Sequence, residues 1–262
     1  MRTVAFVTVL IFYLLATFFY LLRLIVGRPI FSVLGLRATL VAAAVQFVVL
    51  ALHVFTSGQP FFTSYLDYFQ TSALILATLF ILLCFAKKFY VSGPLFIVLI
   101  DVLCILSLTY DNPVILQVVA RGRVFLVFHL IAIFLSLPIF AMGLISALLF
   151  LIEEQQIKNK QISGWVAKLP PLVELDDVHY KALYTGFLLF TFAILMGAGY
   201  AKMTTGHYLV ESAKEVLSIL LWIFLAVLLN FRMRQGWQGH KGVLLSLVGF
   251  VGMLLLFFVG FK

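Results

Sequence analysis

The sequence predicts an all-α membrane bundle of eight transmembrane helices, with both termini on the outer side. Three observations carry that expectation. The chain has 262 residues, of which 64% are hydrophobic and 11% charged, and a mean hydropathy of +1.18, which leaves too little polar surface for a soluble domain. Its apolar residues fall into runs close to the roughly 20 that a helix needs to cross a bilayer core. Its basic residues gather between those runs, more of them in every second connection.

In chain order, Arg2 precedes an apolar run to Val26. The run is too long for a signal peptide and has no small-x-small cleavage pattern, so it is expected to be retained as the first helix. Gly27-Arg28-Pro29 breaks it. The second span is expected at Leu36 to Phe55, with His53 near its far end. A polar and aromatic segment, TSGQPFFTSYLDYFQ, covers residues 56–70. The third span, Phe69 to Ala86, is closed by Lys87 and Lys88; the fourth, Tyr90 to Leu108, carries Asp101 near its middle. A connection from Tyr110 to Arg123 is expected to lie at the interface. The fifth span runs from Val124 to Ile152, and at about 1.5 Å per residue it must tilt or project beyond the hydrocarbon. Glu153 to Tyr180 is the only long hydrophilic stretch. Spans six (Leu183 to Met203) and seven (Glu215 to Arg232) flank a polar connection holding Gly206, His207, Tyr208 and Lys214. The eighth is Val243 to Phe261. No repeat or soluble domain interrupts the chain, so residues 1–262 form one membrane domain.

Charge orients this bundle. The odd-numbered connections hold Arg23, Arg28, Arg37, Lys87, Lys88, Lys158, Lys160, Lys168, Lys181, Arg232, Arg234 and Lys241, twelve of the 18 Lys and Arg residues. Positive residues favour the cytoplasmic side. The net charge of +8 therefore reads as a topology signal, not as a nucleic-acid footprint, because it is scattered along loops. The expected location is a bacterial-type plasma membrane, crossed many times.

Several chemistries are excluded. Cys84 and Cys104 lie inside apolar spans without CxxC or CxxCH spacing, which rules out a dithiol or covalent haem motif. There is no glycine-rich phosphate loop, nucleophile–base spacing or metal-binding cluster. Asp101 at mid-membrane depth either is protonated and hydrogen-bonded or lines a polar path, since an unpaired charge there costs several kcal/mol.

The topology sorts the histidines. His53, His129 and His207 fall at the outer surface, His179 and His240 at the inner one. Two imidazoles from different helices can hold one haem iron between them, each oriented through its other ring nitrogen. Phe61, Phe62, Tyr65, Tyr68, Tyr200 and Tyr208 are placed to stack on a porphyrin; equally, they can form the aromatic belt of any membrane interface. Lys214 and Glu215 begin a helix, where Glu215 suits the positive dipole end and Lys214 can meet a haem propionate.

FHLIAIFLSLPIFAMGLISALLFLIEEQQIKNKQ, KLPPL at Lys168 to Leu172, and the order Gly197, Lys214-Glu215, Trp222, Arg232 and Gly236-Trp237-Gln238-Gly239 together resemble the cytochrome c assembly protein family of CcsA/HemX type. SGQPFFTSYLDYFQTSALIL resembles the family's second outer loop. The chain is most similar to the short HemX/YpjD-like branch. The resemblance implies a haem-handling membrane protein that holds a b-type haem near the outer leaflet. It implies His129 as first ligand and His53 as its partner; His207 has no counterpart in the family and is the alternative by its place at the outer surface, with Tyr208 and Lys214 nearby. The implied partners are the lipid bilayer, haem and other proteins of cytochrome c biogenesis or haem synthesis. The synthase members' tryptophan-rich outer motif is replaced here: Thr205, Leu209 and Glu211 stand at its tryptophan positions. Asn230 stands where synthases have a seventh-helix histidine, and their C-terminal outer histidine has no counterpart. These departures imply that the chain does not attach haem to apocytochrome by itself. Two other readings are open: a non-catalytic regulator of haem synthesis or of a membrane complex, acting through the Glu153–Tyr180 stretch, and a small-solute transporter using Asp101.

Overall fold

The structure, a computed structural model, describes residues 2–57, 65–87, 89–109, 123–160, 164–208, 212–235 and 239–259. Within them the chain is helical: α1 (Arg2–Val26), α2 (Ile30–Ser57), α3 (Tyr65–Lys87), α4 (Gly93–Thr109), α5 (Arg123–Lys158), α6 (Leu172–Thr205), α7 (Ala213–Gln235) and α8 (His240–Val259), with short 3-10 turns at Phe89–Ser92 and Val166–Lys168. Seven of these are long and apolar enough to cross a membrane, and α8 contributes a shorter apolar segment, His240–Met253, among the described residues.

Three boundaries differ from expectation by six residues or more: α5 runs on past Ile152 to Lys158, and two helices start early. The second helix begins at Ile30, directly after Pro29, because proline is tolerated where a helix starts and the first turn closes at once, the Ser32 N–H donating to the Pro29 carbonyl at 3.0 Å. The sixth takes in Leu172–Tyr180, the end of the hydrophilic stretch. It follows Pro170-Pro171, and Glu174 in its first turn suits the positive dipole end. Its acidic side chains also find partners: Asp177 meets Lys181 one turn on at 3.0 Å, and Asp176 meets Arg232 at 2.7 Å.

The chain divides into two compact units. The first comprises α1 to α4, the end of α5 from Ile152, and the segment to Glu174. Its centre is aromatic: the Tyr20 ring lies edge-on to Phe80, which stacks on Phe96 with centroids 5.0 Å apart. Gly35 and Gly93 make room for that tyrosine, since a Cβ on either would overlap its ring. Across α1 to α4 runs a buried hydrogen-bond ladder. Tyr13 donates to Gln46 (2.7 Å), Gln46 donates to Gln70 (2.6 Å), and Gln70 donates to Ser107 (2.7 Å). Each helix contributes one rung. In lipid, such groups need partners inside the protein.

Asp101 in α4 accepts a hydrogen bond from Thr17 in α1 at 2.6 Å. It is buried, so the first alternative, a carboxyl satisfied within the bundle, describes one of its oxygens. Oδ1 has no hydrogen-bond partner among the described residues.

The second unit comprises Arg123–Leu151 of α5, α6 from Leu175, α7 and α8. Phe140 and Phe250 meet edge to face, 5.9 Å between centroids, over the small residues Gly143, Ala182 and Gly186. Trp222 in α7 stacks on Phe187 in α6 (5.8 Å) and donates its indole N–H to Thr191 (2.8 Å), clamping the two helices together.

Candidate functional site

The connection between α6 and α7 is built to present a few side chains. Helix α6 ends at Gly206, whose φ of +83° is the left-handed conformation that glycine adopts without strain. Lys202 caps the same end, donating to the Gly206 carbonyl at 2.7 Å, and its ammonium lies 5.0 Å from the centre of the Tyr208 ring. Ser212 caps α7: its hydroxyl accepts from the Glu215 N–H at 3.2 Å, the N-cap-to-N3 bond of a capping box.

Beneath this connection is a pocket of about 440 Å³ lined by α5, α6 and α7, including His129, Tyr200, Thr204, Tyr208, Lys214 and Glu215. The volume is in the range of small-molecule and cofactor sites. His129, Tyr208 and Lys214, expected from the sequence to act together, are thus brought together.

The imidazole of His129 has a defined orientation. Its Nδ1 is 2.7 Å from the Ala193 carbonyl. A carbonyl accepts only, so Nδ1 carries the proton and Nε2 presents a lone pair. No described residue takes Nε2. This is the arrangement found around metal-ligating histidines, where a backbone carbonyl fixes tautomer and ring plane. Gly197 makes the approach possible: a Cβ there would stand 2.9 Å from His129 Nδ1.

The other expected ligands are placed apart from this group. His207 is exposed beside Tyr208 but outside the pocket lining; its backbone N–H bonds the Thr205 hydroxyl at 3.3 Å. His53 belongs to the first unit, near the end of α2, with Nε2 3.8 Å from an oxygen of Asp67, a buried carboxylate on α3. Phe61, Phe62, Leu209, Glu211 and Gly236-Trp237-Gln238 lie outside the described residues, and so does most of the Tyr110–Arg123 connection.

At the other end of the second unit is a cluster the sequence reading missed. His179 is fully buried, with Nε2 2.6 Å from the Ser246 hydroxyl and Nδ1 3.3 Å from Arg232. A guanidinium donates only, so Nδ1 accepts and Nε2–H donates. Arg232 in turn pairs with Asp176 at 2.7 Å and covers the Tyr180 ring at 4.7 Å. Both nitrogens of this imidazole are committed, so His179 ties α6, α7 and α8 together and has no lone pair for a ligand. The i, i+3 spacing of Asp176 and His179 on one helix face was the available signal.

Fold and site together define a polytopic helical membrane protein with an oriented imidazole over a cofactor-sized pocket. The chain belongs to the cytochrome c assembly protein family, whose profile matches residues 2–261. It is similar to the cytochrome c biogenesis protein CcsA of Prochlorococcus marinus strain AS9601, 35% identical over 82 residues (31% of this chain and 26% of the relative). The CcsA of Mesostigma viride is 34% identical over 94 residues (36% and 28%). That of Synechococcus sp. strain CC9605 is 35% identical over 78 residues (30% and 26%). The chain thus aligns with only about a quarter of the length of these curated relatives.

Proposed function

We propose that this protein binds haem b near the outer leaflet of a plasma membrane and handles it during cytochrome c assembly. We place it in the short HemX/YpjD-like branch, with both termini outside and α8 as the eighth span. The observation that carries the reading is His129: an imidazole with Nδ1 tied to a backbone carbonyl and Nε2 left free beside a pocket of about 440 Å³. The donor set fits the group. His129 would ligate the iron, Tyr200 and Tyr208 supply ring surface, and Lys214 supplies a cation for a propionate.

Bound haem would supply an iron centre and reactive vinyl groups for later attachment to a cytochrome. The protein's part is to hold and orient. The Ala193 carbonyl keeps the His129 lone pair available, and the Phe128–Phe192 pair, 6.3 Å between centroids, packs α5 against α6 beside it. His53 is the proposed second ligand, and His207 is the alternative.

The test is an absorption spectrum of detergent-purified protein, with and without added haem. A Soret band is expected for wild type and for His207→Ala, and its loss or strong displacement for His129→Ala. Wild-type protein that takes up no haem under any loading condition would overturn the reading in favour of a regulatory partner.

A further inference from the structure

A second, smaller cavity lies in the first unit, well separated in composition from the pocket around His129. It has a volume of about 120 Å³ and is bounded by the end of α1, the 3-10 turn before α4 and the turn that leads toward α6. Among the described residues, Arg23 and Lys168 are the charged ones in its lining, and no carboxylate lines it. Leu24 and Val91 provide apolar wall, and Trp165 is half-buried at its side. Gly27 and Gly164 also border it, and a Cβ at either would meet nothing within 4 Å, so the space beside both is open.

We propose that this cavity is a binding site for a phosphate group, specifically the phosphodiester of an anionic glycerophospholipid in the leaflet that the charge bias assigns to the cytoplasm. Size is the first argument. By the roughly 30 Å³ that a water occupies in the liquid, the cavity has room for a phosphate with its ester oxygens and none for a macrocycle. Charge is the second. Two cations converge from segments far apart in sequence without an acidic partner in the cavity, and guanidinium and ammonium groups are the usual phosphate-binding pair.

The third argument is what the cations already do. Arg23 donates through Nη1 to the Gly27 carbonyl, which satisfies one of its N–H groups and anchors the guanidinium, leaving the others for a ligand. A basic residue that serves only to orient the chain needs neither a cavity nor a second cation beside it. The fourth is place. The cavity opens at the end of apolar spans, where a headgroup can reach the cations while its glycerol and first methylenes lie along Leu24, Val91 and the Trp165 ring; basic pockets of this kind between transmembrane helices receive anionic headgroups.

The experiment uses the full chain purified in non-ionic detergent, with lipid occupancy read by native mass spectrometry. Phosphatidylglycerol is expected to be retained in preference to phosphatidylcholine. Arg23→Gln with Lys168→Gln should lower its occupancy by roughly tenfold to thirtyfold, whereas Arg23→Lys with Lys168→Arg should keep most of it. Inorganic phosphate distinguishes the sources. If it binds to wild type, and phosphatidylglycerol does not, the phosphate site stands and its ligand is the free anion. Equal occupancy by phosphatidylcholine, or phosphatidylglycerol occupancy unchanged in the double Gln variant, overturns the proposal. Should the double variant not fold, Lys168→Gln alone decides: a loss of about threefold or more is expected, and no loss overturns it.

Discussion

His129 and His179 show how one residue type acquires two roles. Both are imidazoles on long helices of the same unit, and they differ in what occupies the ring nitrogens. His179 spends Nε2 on Ser246 and Nδ1 on Arg232, while His129 spends Nδ1 on the Ala193 carbonyl. Gly197 is the sensitive neighbour of the second ring. Gly197→Val would drive a side chain into His129 Nδ1, 2.9 Å from the added Cβ. It should weaken haem affinity by roughly tenfold or more, as loss of an orienting contact does at metal sites; haem titration followed at the Soret band checks this, and unchanged affinity would remove Gly197 from the argument. Arg232→Ala leaves the Asp176 carboxylate without its cation and His179 Nδ1 without its donor. Breaking a buried pair from one side costs about 3–5 kcal/mol, and Arg232 is 7% exposed. A marked fall in melting temperature in detergent is expected, with haem spectra of the surviving protein unchanged. Histidine types and positions were legible in the chain; which nitrogen stays free was not, because the Ala193 carbonyl and Gly197 carry no signal of what packs on them.

At the scale of elements, α1 to α4 are joined by polar rungs that hydropathy cannot see. Gln46 sits in the middle of an apolar run and Gln70 at the start of one, and each uses both ends of its amide. Gln70→Leu removes the side-chain acceptor of one Gln46 N–H and the donor to Ser107 together, while the Gln70 backbone carbonyl still accepts from Gln46 at 3.0 Å. Leaving such a buried group unsatisfied costs about 1–3 kcal/mol, so thermal stability should fall, while Ser107→Ala alone should cost less because it strands only one Gln70 N–H and leaves the Gln46–Gln70 bond in place. Differential scanning of the two variants in one detergent tests the order, and equal stability of Gln70→Leu and wild type would count against the ladder as a stabilising element. The helix extents were read well from apolar length. The early start of α6 was read poorly, because the charges of Glu174 to Asp177 look like loop until Arg232 and Lys181 are set beside them.

The charge bias leads to the expectation that the α5–α6 connection is cytoplasmic, so a cysteine introduced as Lys160→Cys should react with a membrane-impermeant reagent only after the cells are opened. Labelling of intact cells would reverse the orientation. On activity, the protein by itself is expected to make no covalent cytochrome. Thr205 stands at a synthase tryptophan position, with its side chain bonded to the Ala201 carbonyl at 2.8 Å, and offers no face to a porphyrin. Asn230 offers an amide, a poor iron ligand. The measurement is haem staining of a CxxCH reporter in cells without their own maturation machinery, and holocytochrome made by this protein alone would restore the synthase reading.

What the chain determined by itself was the class. Bilayer hydrocarbon requires about 20 apolar residues per helix and satisfaction of every backbone group within it, so composition and run length alone dictate a helical membrane protein. Family membership, too, was legible in the order of its motifs, because those residues recur in sequence whatever their contacts. Tertiary structure alone decided which of five histidines keeps a free nitrogen beside a pocket, and that Arg23 and Lys168 converge on one cavity. A hydrogen bond depends on a few tenths of an ångström between helices distant in the chain, and periodicity along one helix carries no information at that range.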